Sequence, residues 1–274
     1  MLIVDAQVHI WSGCKPANPN HRQVPSYSKD DLLKEMDEAG VDAALLHPPA
    51  FDPNSDAVAI EAARQYPNRL AVLGRFPVER PESRALVDTW KNQPGMPGLR
   101  FVFLQPHQQK WPTDGTMDWL WPAAERAGIP IALFATSFLP ALGQIAQRHP
   151  KLRLLIDHMA VVPNAKDTAA FAALPELIAL AKYPNVAVKA SGAPAYSSEP
   201  YPYRNIHPYI CQIYDAFGPD RMFWGTDITR MPCSYRQCVT MFTEEMPWLK
   251  GRDLELVMGR GLADWLGWKL PPAP

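Results

Sequence analysis

The stretch Leu152-Arg-Leu-Leu-Ile-Asp-His158 joins a strand-sized apolar run to an acid and an imidazole at its end. Comparable apolar runs recur along the chain, and each is followed by a helix-sized amphipathic segment. Eight such runs are present: Leu2–Val8, Asp42–His47, Leu70–Phe76, Gly98–Leu104, Pro130–Ala135, Leu152–His158, Val186–Ser191 and Met222–Asp227. Most are rich in Val, Ile, Leu and Phe without clean alternation, which is typical of parallel strands buried on both faces.

The segments between these runs carry helix signals. Ser28 and Asp31 can cap a helix whose apolar face includes Leu32 and Met36, and Ser55 can begin a second helix. Further helices are predicted near 82–92, 117–127, 138–149, 169–182, 205–217, 234–246 and 253–266. Eight strand–helix alternations predict parallel pairing with right-handed crossovers, and therefore an α/β fold of the (β/α)8 TIM-barrel type.

The 274 residues suit one such barrel, which takes about 250 residues, and we predict a single domain over residues 1–274. Turns from helix into strand are short, whereas segments from strand into helix are often long, notably 12–27, 105–116 and 193–205. A barrel that elaborates one face places its chemistry on that face. The alternative, a doubly wound open sheet, often carries a Gly-rich phosphate loop, and the sequence contains neither GxGxxG nor GxxxxGK[ST].

Composition and charge exclude several classes of protein. The chain is 47% hydrophobic and 20% charged, as globular proteins are, and its 27 basic and 28 acidic side chains leave a net charge of -1. It therefore has no basic excess with which to bind nucleic acid or an anionic membrane.

No uninterrupted apolar run reaches about 18 residues and the N-terminus lacks a basic segment, so we predict neither a transmembrane span nor a signal peptide. The four cysteines show no CxxC or zinc-finger spacing, and we expect reduced thiols and a cytoplasmic location.

Polar side chains stand in or at the ends of the predicted strands. Asp5, Gln7 and His9 share one parity on the first strand and are expected to point the same way. The others are His47, Arg75, Arg100, His158, Lys189 and Asp227, on strands 2, 3, 4, 6, 7 and 8. Each alone has an ordinary structural explanation, such as helix capping or a salt bridge, and we expect Asp5 and Asp157 to support the structure. Their joint convergence at one end of a closed barrel predicts an active site there.

Five short motifs carry a family resemblance: Asp5-Ala-Gln-Val-His-Ile-Trp11, Gly98-Leu-Arg100, Ile156-Asp-His-Met159, Val188-Lys-Ala-Ser-Gly192 and Gly225-Thr-Asp227. In this order they resemble the amidohydrolase superfamily, and most of all its amidohydrolase-related branch of lactonases and metal-dependent decarboxylases. The resemblance spans the whole chain. It implies a (β/α)8 barrel that hydrolyses or decarboxylates small carboxylate-bearing molecules.

The sequence departs from the superfamily where that family binds metal. The resemblance implies His-x-His on the first strand, but Gln7 replaces the first imidazole and only His9 remains. Arg100 stands where many metal-binding relatives carry a carboxylated Lys or a Glu, and the fifth strand has no His. The remaining metal ligands are His9, His158 and Asp227, so one divalent ion, zinc or manganese, stays an open alternative. We favour metal-free catalysis, because Arg100 would repel a nearby cation.

The resemblance predicts a lactonase-type hydrolase. In it Asp227 takes a proton from water, while His9, His158 and Gln7 polarise the ester carbonyl. The expected substrate contacts are Gln7, Arg100, His47, Arg75, Lys189, Arg230 and Tyr201. One alternative is a mononuclear metal-dependent decarboxylase or amidohydrolase; another is a catalytically inactive barrel that only binds its ligand. The expected partner is a small carboxylate or lactone, without nucleic acid or membrane, and the sequence leaves a homo-oligomer open.

Overall fold

The computed structural model describes residues 1–271 and shows eight parallel strands in sequential order, which confirms the predicted TIM-barrel fold of a single α/β domain. The strands are β1 (Val4–Val8), β2 (Ala43–Leu46), β3 (Leu70–Gly74), β4 (Gly98–Phe101), β5 (Ile131–Leu133), β6 (Leu154–Ile156), β7 (Val186–Ser191) and β8 (Met222–Gly225). Residues 272–274 of the predicted domain lie outside the described residues, and its limits of 1–274 stay a prediction.

The helices alternate with these strands. They are α1 (Lys29–Ala39), α2 (Ser55–Gln65), α3 (Ser83–Thr89), α4 (Leu120–Ala127), α5 (Leu139–Arg148), α6 (Asp167–Ala170), α7 (Leu174–Ile178), α8 (His207–Phe217), α9 (Tyr235–Thr243), α10 (Gly251–Glu255) and α11 (Gly261–Leu266). The predicted capping box at α1 is present, since the Asp31 N–H donates to Ser28 and the Ser28 N–H donates to Asp31. Within residues 1–271, no helix combines the length and apolar character that a membrane crossing requires.

Six strands, β2 to β6 and β8, end one to three residues earlier than the sequence predicts, and two of them, β6 and β8, are followed by candidate catalytic residues. Strand β6 ends at Ile156 because His158, Met159 and Ala160 take left-handed backbone conformations, with φ of 51°, 55° and 51°. Strand β8 ends at Gly225, and Asp227 has a φ of 56°. Such values are uncommon for residues other than glycine and concentrate at functional sites. Both candidate catalytic residues after these strands therefore lie on turns rather than on extended chain.

The barrel interior is apolar toward the amino ends of the strands. Alternate strand positions form a separate apolar cluster, and α11 adds Leu262 and Leu266 to it. Its strand members are Leu2, Val4, Ala6, Ala43, Leu45, Ala71, Leu73, Ala132, Leu155, Ala187 and Phe223. The intervening strand residues belong to the larger core between the strands and the outer helices. The lower half of the barrel, at the amino ends of the strands, is thus filled by apolar side chains, and the buried charges lie in the upper half, at the carboxyl ends.

Asp5 joins β8 to β1. Its carboxylate accepts the N–H groups of Gln7 and Thr226 at 2.9 and 2.8 Å and the hydroxyl of Tyr235 at 2.6 Å. The N–H of Asp227 donates to the carbonyl oxygen of Gln7 at 2.6 Å. The structure therefore gives Asp5 the supporting role expected of it and ties the position of Asp227 to that of β1.

Candidate active site

A cavity of about 270 Å³ lies over the carboxyl ends of the strands. Its imidazole and charged lining residues are His9, His21, Arg75, Arg100, His158, Asp227 and Arg230. All three predicted catalytic residues therefore reach one space. Gln7, His47 and Lys189, which were predicted to touch substrate, are fully buried at 0%, 1% and 0% exposure and are not part of its lining.

A bulge in β1 turns Gln7 and His9 into the barrel. Asp5 pairs with Ala44 and Val8 with Leu46, so β1 holds one residue more than β2 between these two pairs. Such an insertion reverses the alternation of side chains beyond it. The prediction that Asp5 points the same way as Gln7 and His9 is therefore wrong, because Asp5 faces the outer helices and contacts Tyr235 at the start of α9.

His9 is held by hydrogen bonds on both ring nitrogens. Its Nδ1 lies 2.5 Å from the carbonyl oxygen of His47, and only an N–H can donate to that oxygen. The Nε2 atom therefore carries the lone pair and accepts from the amide nitrogen of Gln7 at 3.2 Å. Burial lowers the pKa of His9 to about 3, so the ring is neutral near pH 7. In this state neither His9 nor Gln7 offers the hydrogen-bond donor to substrate that the sequence predicted.

Asp227 is an ionised carboxylate at the edge of the cavity. Its Oδ2 lies 3.2 Å from the Arg230 guanidinium, while its Oδ1 lies 3.4 Å from His9 Nε2 and accepts no hydrogen bond from the described residues. Burial acts to raise the pKa of this carboxyl, but His9 and Arg230 act against it and hold the pKa well below its usual range. Asp227 therefore keeps one oxygen able to accept a proton.

His158 faces the same space from the turn after β6. Its Nδ1 lies 3.0 Å from the Ser191 hydroxyl on β7, and its ring stands edge-on to Phe134, with centroids 6.1 Å apart. Burial lowers the pKa of His158 to about 4, so this imidazole is also neutral near pH 7. When the Ser191 hydroxyl donates to Nδ1, the ring proton stands on Nε2.

Asp157 binds two cations beneath the cavity. Its carboxylate lies 2.7 Å from Arg100 Nε and 2.7 Å from Lys189 Nζ. Burial acts to raise the pKa of Asp157, but Lys189 and Arg100 outweigh it and hold the pKa well below its usual range. Burial also lowers the pKa of Lys189 to about 8, so the ammonium is still mostly charged at pH 7. Arg100 uses Nε for this pair and keeps its terminal nitrogens for a ligand.

The remaining predicted contacts are divided between the cavity and the scaffold. Arg75 lines the cavity, although its guanidinium pairs with Asp56 at 2.6 Å. The His47 Nε2 lies 3.0 Å from the carbonyl oxygen of Ala6, and burial holds the pKa of this ring well below its usual value. The structure does not bring Tyr201 to the cavity lining; its hydroxyl lies 2.8 Å from Thr240 on α9.

His21 is a cavity residue that the sequence reasoning missed. It comes from the long segment after β1, its Nδ1 lies 2.9 Å from the Thr229 hydroxyl, and its ring centroid is 5.5 Å from that of His9. The sequence predicts that residues 12–27 form an elaborated loop on the working face, and His21 is the one histidine in this loop, which is the signal that points to it.

The donors around His9 do not fit a metal ion. The lone pair that a metal would need already accepts the Gln7 amide, and that amide cannot turn because its oxygen accepts from Lys189 at 2.8 Å. In the part of the chain that the structure describes, no three His, Cys, Asp or Glu side chains are grouped as a metal site. The predicted ligand set of His9, His158 and Asp227 is thus present at the cavity but not assembled for coordination.

Comparison with known proteins adds the family context. Residues 4–269 match the model of the family described as Amidohydrolase. An L-fucono-1,5-lactonase from Burkholderia ambifaria is 25% identical over 232 residues, which cover 82% of this chain and 79% of the relative. An amidohydrolase structure from Burkholderia multivorans with bound zinc has a TM-score of 0.83 and 20% identity, and the match covers 98% of this chain and all of that one. The structure of a probable 2-pyrone-4,6-dicarboxylic acid hydrolase from Acinetobacter baumannii, with citric acid bound, has a TM-score of 0.74 and 18% identity, with 97% of this chain and all of that one covered.

Proposed function

The chain belongs to the amidohydrolase family, and on that premise we propose that it is a hydrolase that opens a lactone of a small, carboxylate-bearing molecule. The observation that carries the proposal is Asp227, an ionised carboxylate on the cavity wall whose Oδ1 accepts no hydrogen bond from the described residues. A general base needs such a free oxygen. The likeness to a lactonase from Burkholderia ambifaria supports ester hydrolysis rather than another reaction of the family.

Asp227 acts first as base and then as acid. It takes a proton from a water molecule while the water oxygen bonds to the lactone carbonyl carbon. The tetrahedral intermediate then collapses with cleavage of the ring C–O bond, and the departing alkoxide takes the proton back from Asp227. The product is the open hydroxy acid. No redox partner is needed, because water supplies every atom added.

Stabilisation of the oxyanion falls to His158 and Arg100 rather than to His9 and Gln7. His158 offers an Nε2–H when Ser191 donates to its Nδ1, and Arg100 has its terminal nitrogens free of Asp157. Removal of one hydrogen-bond donor from an oxyanion hole lowers kcat by about 10²–10³-fold. His9 Nε2 lies 3.4 Å from Asp227 Oδ1 without donating to it, and Asp227 is positioned instead by its N–H bond to the Gln7 carbonyl oxygen and by Arg230.

The charge around the cavity suits an anionic substrate. Four cations, Arg75, Arg100, Lys189 and Arg230, are paired with three carboxylates, Asp56, Asp157 and Asp227. One positive charge is therefore in excess. A guanidinium donates charge-assisted hydrogen bonds to a carboxylate, and we assign the substrate carboxylate to Arg75, of which Asp56 engages Nε and Nη2.

The test is a substrate panel with a matched variant. Aldonolactones and pyrone carboxylates are offered to the wild-type protein, and ring opening is followed by proton release and loss of the pyrone absorbance. Asp227→Asn should lower kcat by about 10²–10⁴, the contribution usual for a positioned base. Asp37→Asn, which removes a carboxylate paired with Arg69 at the surface, should leave kcat unchanged.

Three outcomes contradict the proposal. No ring opening with any member of the panel, at high protein concentration, would reject a lactonase. Release of CO2 from carboxylated aromatic substrates would favour the decarboxylase. Tight binding of lactones without turnover, unchanged by Asp227→Asn, would favour the inactive barrel.

A further inference from the structure

Lys189 carries a fully buried charge beneath the cavity. It lies in the middle of β7, is 0% exposed, and is absent from the cavity lining. Its Nζ lies 2.7 Å from the Asp157 carboxylate, 2.8 Å from the Gln7 amide oxygen and 3.2 Å from His47 Nε2. Carboxylate, amide oxygen and imidazole are the groups that usually surround a metal ion in proteins. Here they surround an ammonium.

The contact with Gln7 has a consequence at His9. An ammonium can only donate, so it fixes the amide oxygen of Gln7 toward β7 and turns the amide nitrogen toward His9. That nitrogen then occupies the His9 Nε2 lone pair at 3.2 Å. The other nitrogen of His9 donates to the carbonyl oxygen of His47, which is the arrangement that orients a metal-binding imidazole. His9 is therefore oriented as a metal-binding histidine would be, but its Nε2 atom, which would bind the metal, already accepts a hydrogen bond from Gln7.

We propose that the buried ammonium of Lys189 takes the place of a divalent cation in this barrel and, through Gln7, keeps His9 from binding one. Zinc bound to a histidine would lie about 2.0–2.1 Å from the ring nitrogen and would displace the amide hydrogen of Gln7. Gln7 cannot yield by turning, because its amide nitrogen would then face the Lys189 ammonium, and both groups are donors. The positive charge of Lys189 and Arg100 also opposes a second cation nearby. This inference concerns metal binding and stands apart from the lactonase proposal.

Zinc uptake measures the effect directly. Wild-type protein, Lys189→Met and Lys189→Arg are each treated with a chelator, dialysed, exposed to excess zinc and desalted, and bound zinc is determined by elemental analysis. Lys189→Met frees the Gln7 amide to turn its oxygen toward His9, so we expect about one zinc ion per chain. Wild type and Lys189→Arg, which keep the cation, should hold far less than one. The double variant Lys189→Met with His9→Ala should lose the zinc and thereby show that His9 binds it.

The remaining variant keeps the test decisive when Lys189→Met does not fold. Gln7→His removes the amide that occupies the His9 lone pair and adds a second imidazole while Lys189 stays in place, so we expect it to take up more zinc than wild type. The ¹⁵N shift of His9 Nε2 should respond to zinc in Gln7→His and not in wild type. One zinc ion per chain in wild type would overturn the proposal, and so would a folded Lys189→Met that stays free of zinc or a Gln7→His that takes up no more zinc than wild type.

Discussion

Replacement of Asp157 by Asn tests how far the buried charges stabilise the upper barrel. Asp157 and Lys189 are both 0% exposed, and the Asp157 carboxylate lies 2.7 Å from Lys189 Nζ and 2.7 Å from Arg100 Nε. At an effective dielectric constant of about 20, each contact supplies roughly 6 kcal/mol of attraction. Much of this attraction is offset by the cost of removing the charges from water. The desolvation cost of Lys189 remains when Asp157 is replaced by the neutral Asn.

We therefore expect Asp157→Asn to lower the free energy of unfolding by about 3–5 kcal/mol, as when a buried ion pair loses one partner. Differential scanning calorimetry at pH 7 should show a fall in Tm of about 5–9 °C. The control is Asp37→Asn, whose carboxylate pairs with Arg69 at 2.8 Å but is 65% exposed. Surface pairs of this kind contribute about 0–1 kcal/mol. Equal Tm shifts in the two variants would refute the reasoning.

Three further predictions concern substrate, pH and packing. Arg75→Met should raise KM about 10–150-fold for carboxylated lactones, the cost of one charge-assisted hydrogen bond, while steady-state kinetics with neutral lactones stays unchanged. Because folding lowers the pKa of His158 from 6.5 to about 4, the unfolded chain binds more protons within this window, and stability falls as pH falls through it. This contribution is about 3 kcal/mol, and the Tm of His158→Gln should depend less steeply on pH than that of wild type. A Cβ on Gly259 would lie 2.5 Å from the Leu2 carbonyl oxygen, so Gly259→Ala should cost about 1–3 kcal/mol in thermal unfolding, and a wild-type Tm would contradict this contact.

The sequence predicts the barrel well because its signals are local and repeated. Each strand is an apolar run, and each run is followed by an amphipathic segment, so eight weak signals support one another. The capping box at Ser28 places the start of α1. The predicted helix near 169–182 is instead divided into α6, α7 and a 3-10 turn, and Pro175 in the first turn of α7 explains why a separate helix begins there.

The site is predicted less completely because its geometry depends on irregular backbone. The stretch Val4-Asp-Ala-Gln-Val8 alternates strictly between apolar and polar residues, so it predicts one direction for Asp5 and Gln7 and does not reveal the bulge that separates them. The left-handed turn at His158 is equally hidden, since such conformations are set by tertiary contacts. The sequence also does not show how far a strand residue lies below the cavity along the barrel axis. The sequence therefore predicts Lys189 as a substrate contact, although this residue lies below the cavity and is not part of its lining.

The bulge in β1 connects closure of the barrel to its chemistry. Beyond it, Gln7 and His9 face inward, and the backbone of Gln7 receives the N–H of Asp227 at 2.6 Å. Strict alternation from Val4 would have turned Gln7 and His9 toward the helices, where Lys189 and Asp227 could not meet them. Asp5, left facing outward by the same insertion, then bonds Thr226 and Tyr235 and secures β8 against β1. One inserted residue thus fixes both the seam of the barrel and the orientation of the base, and the apolar lower half supplies the stability that lets buried charges occupy the upper half.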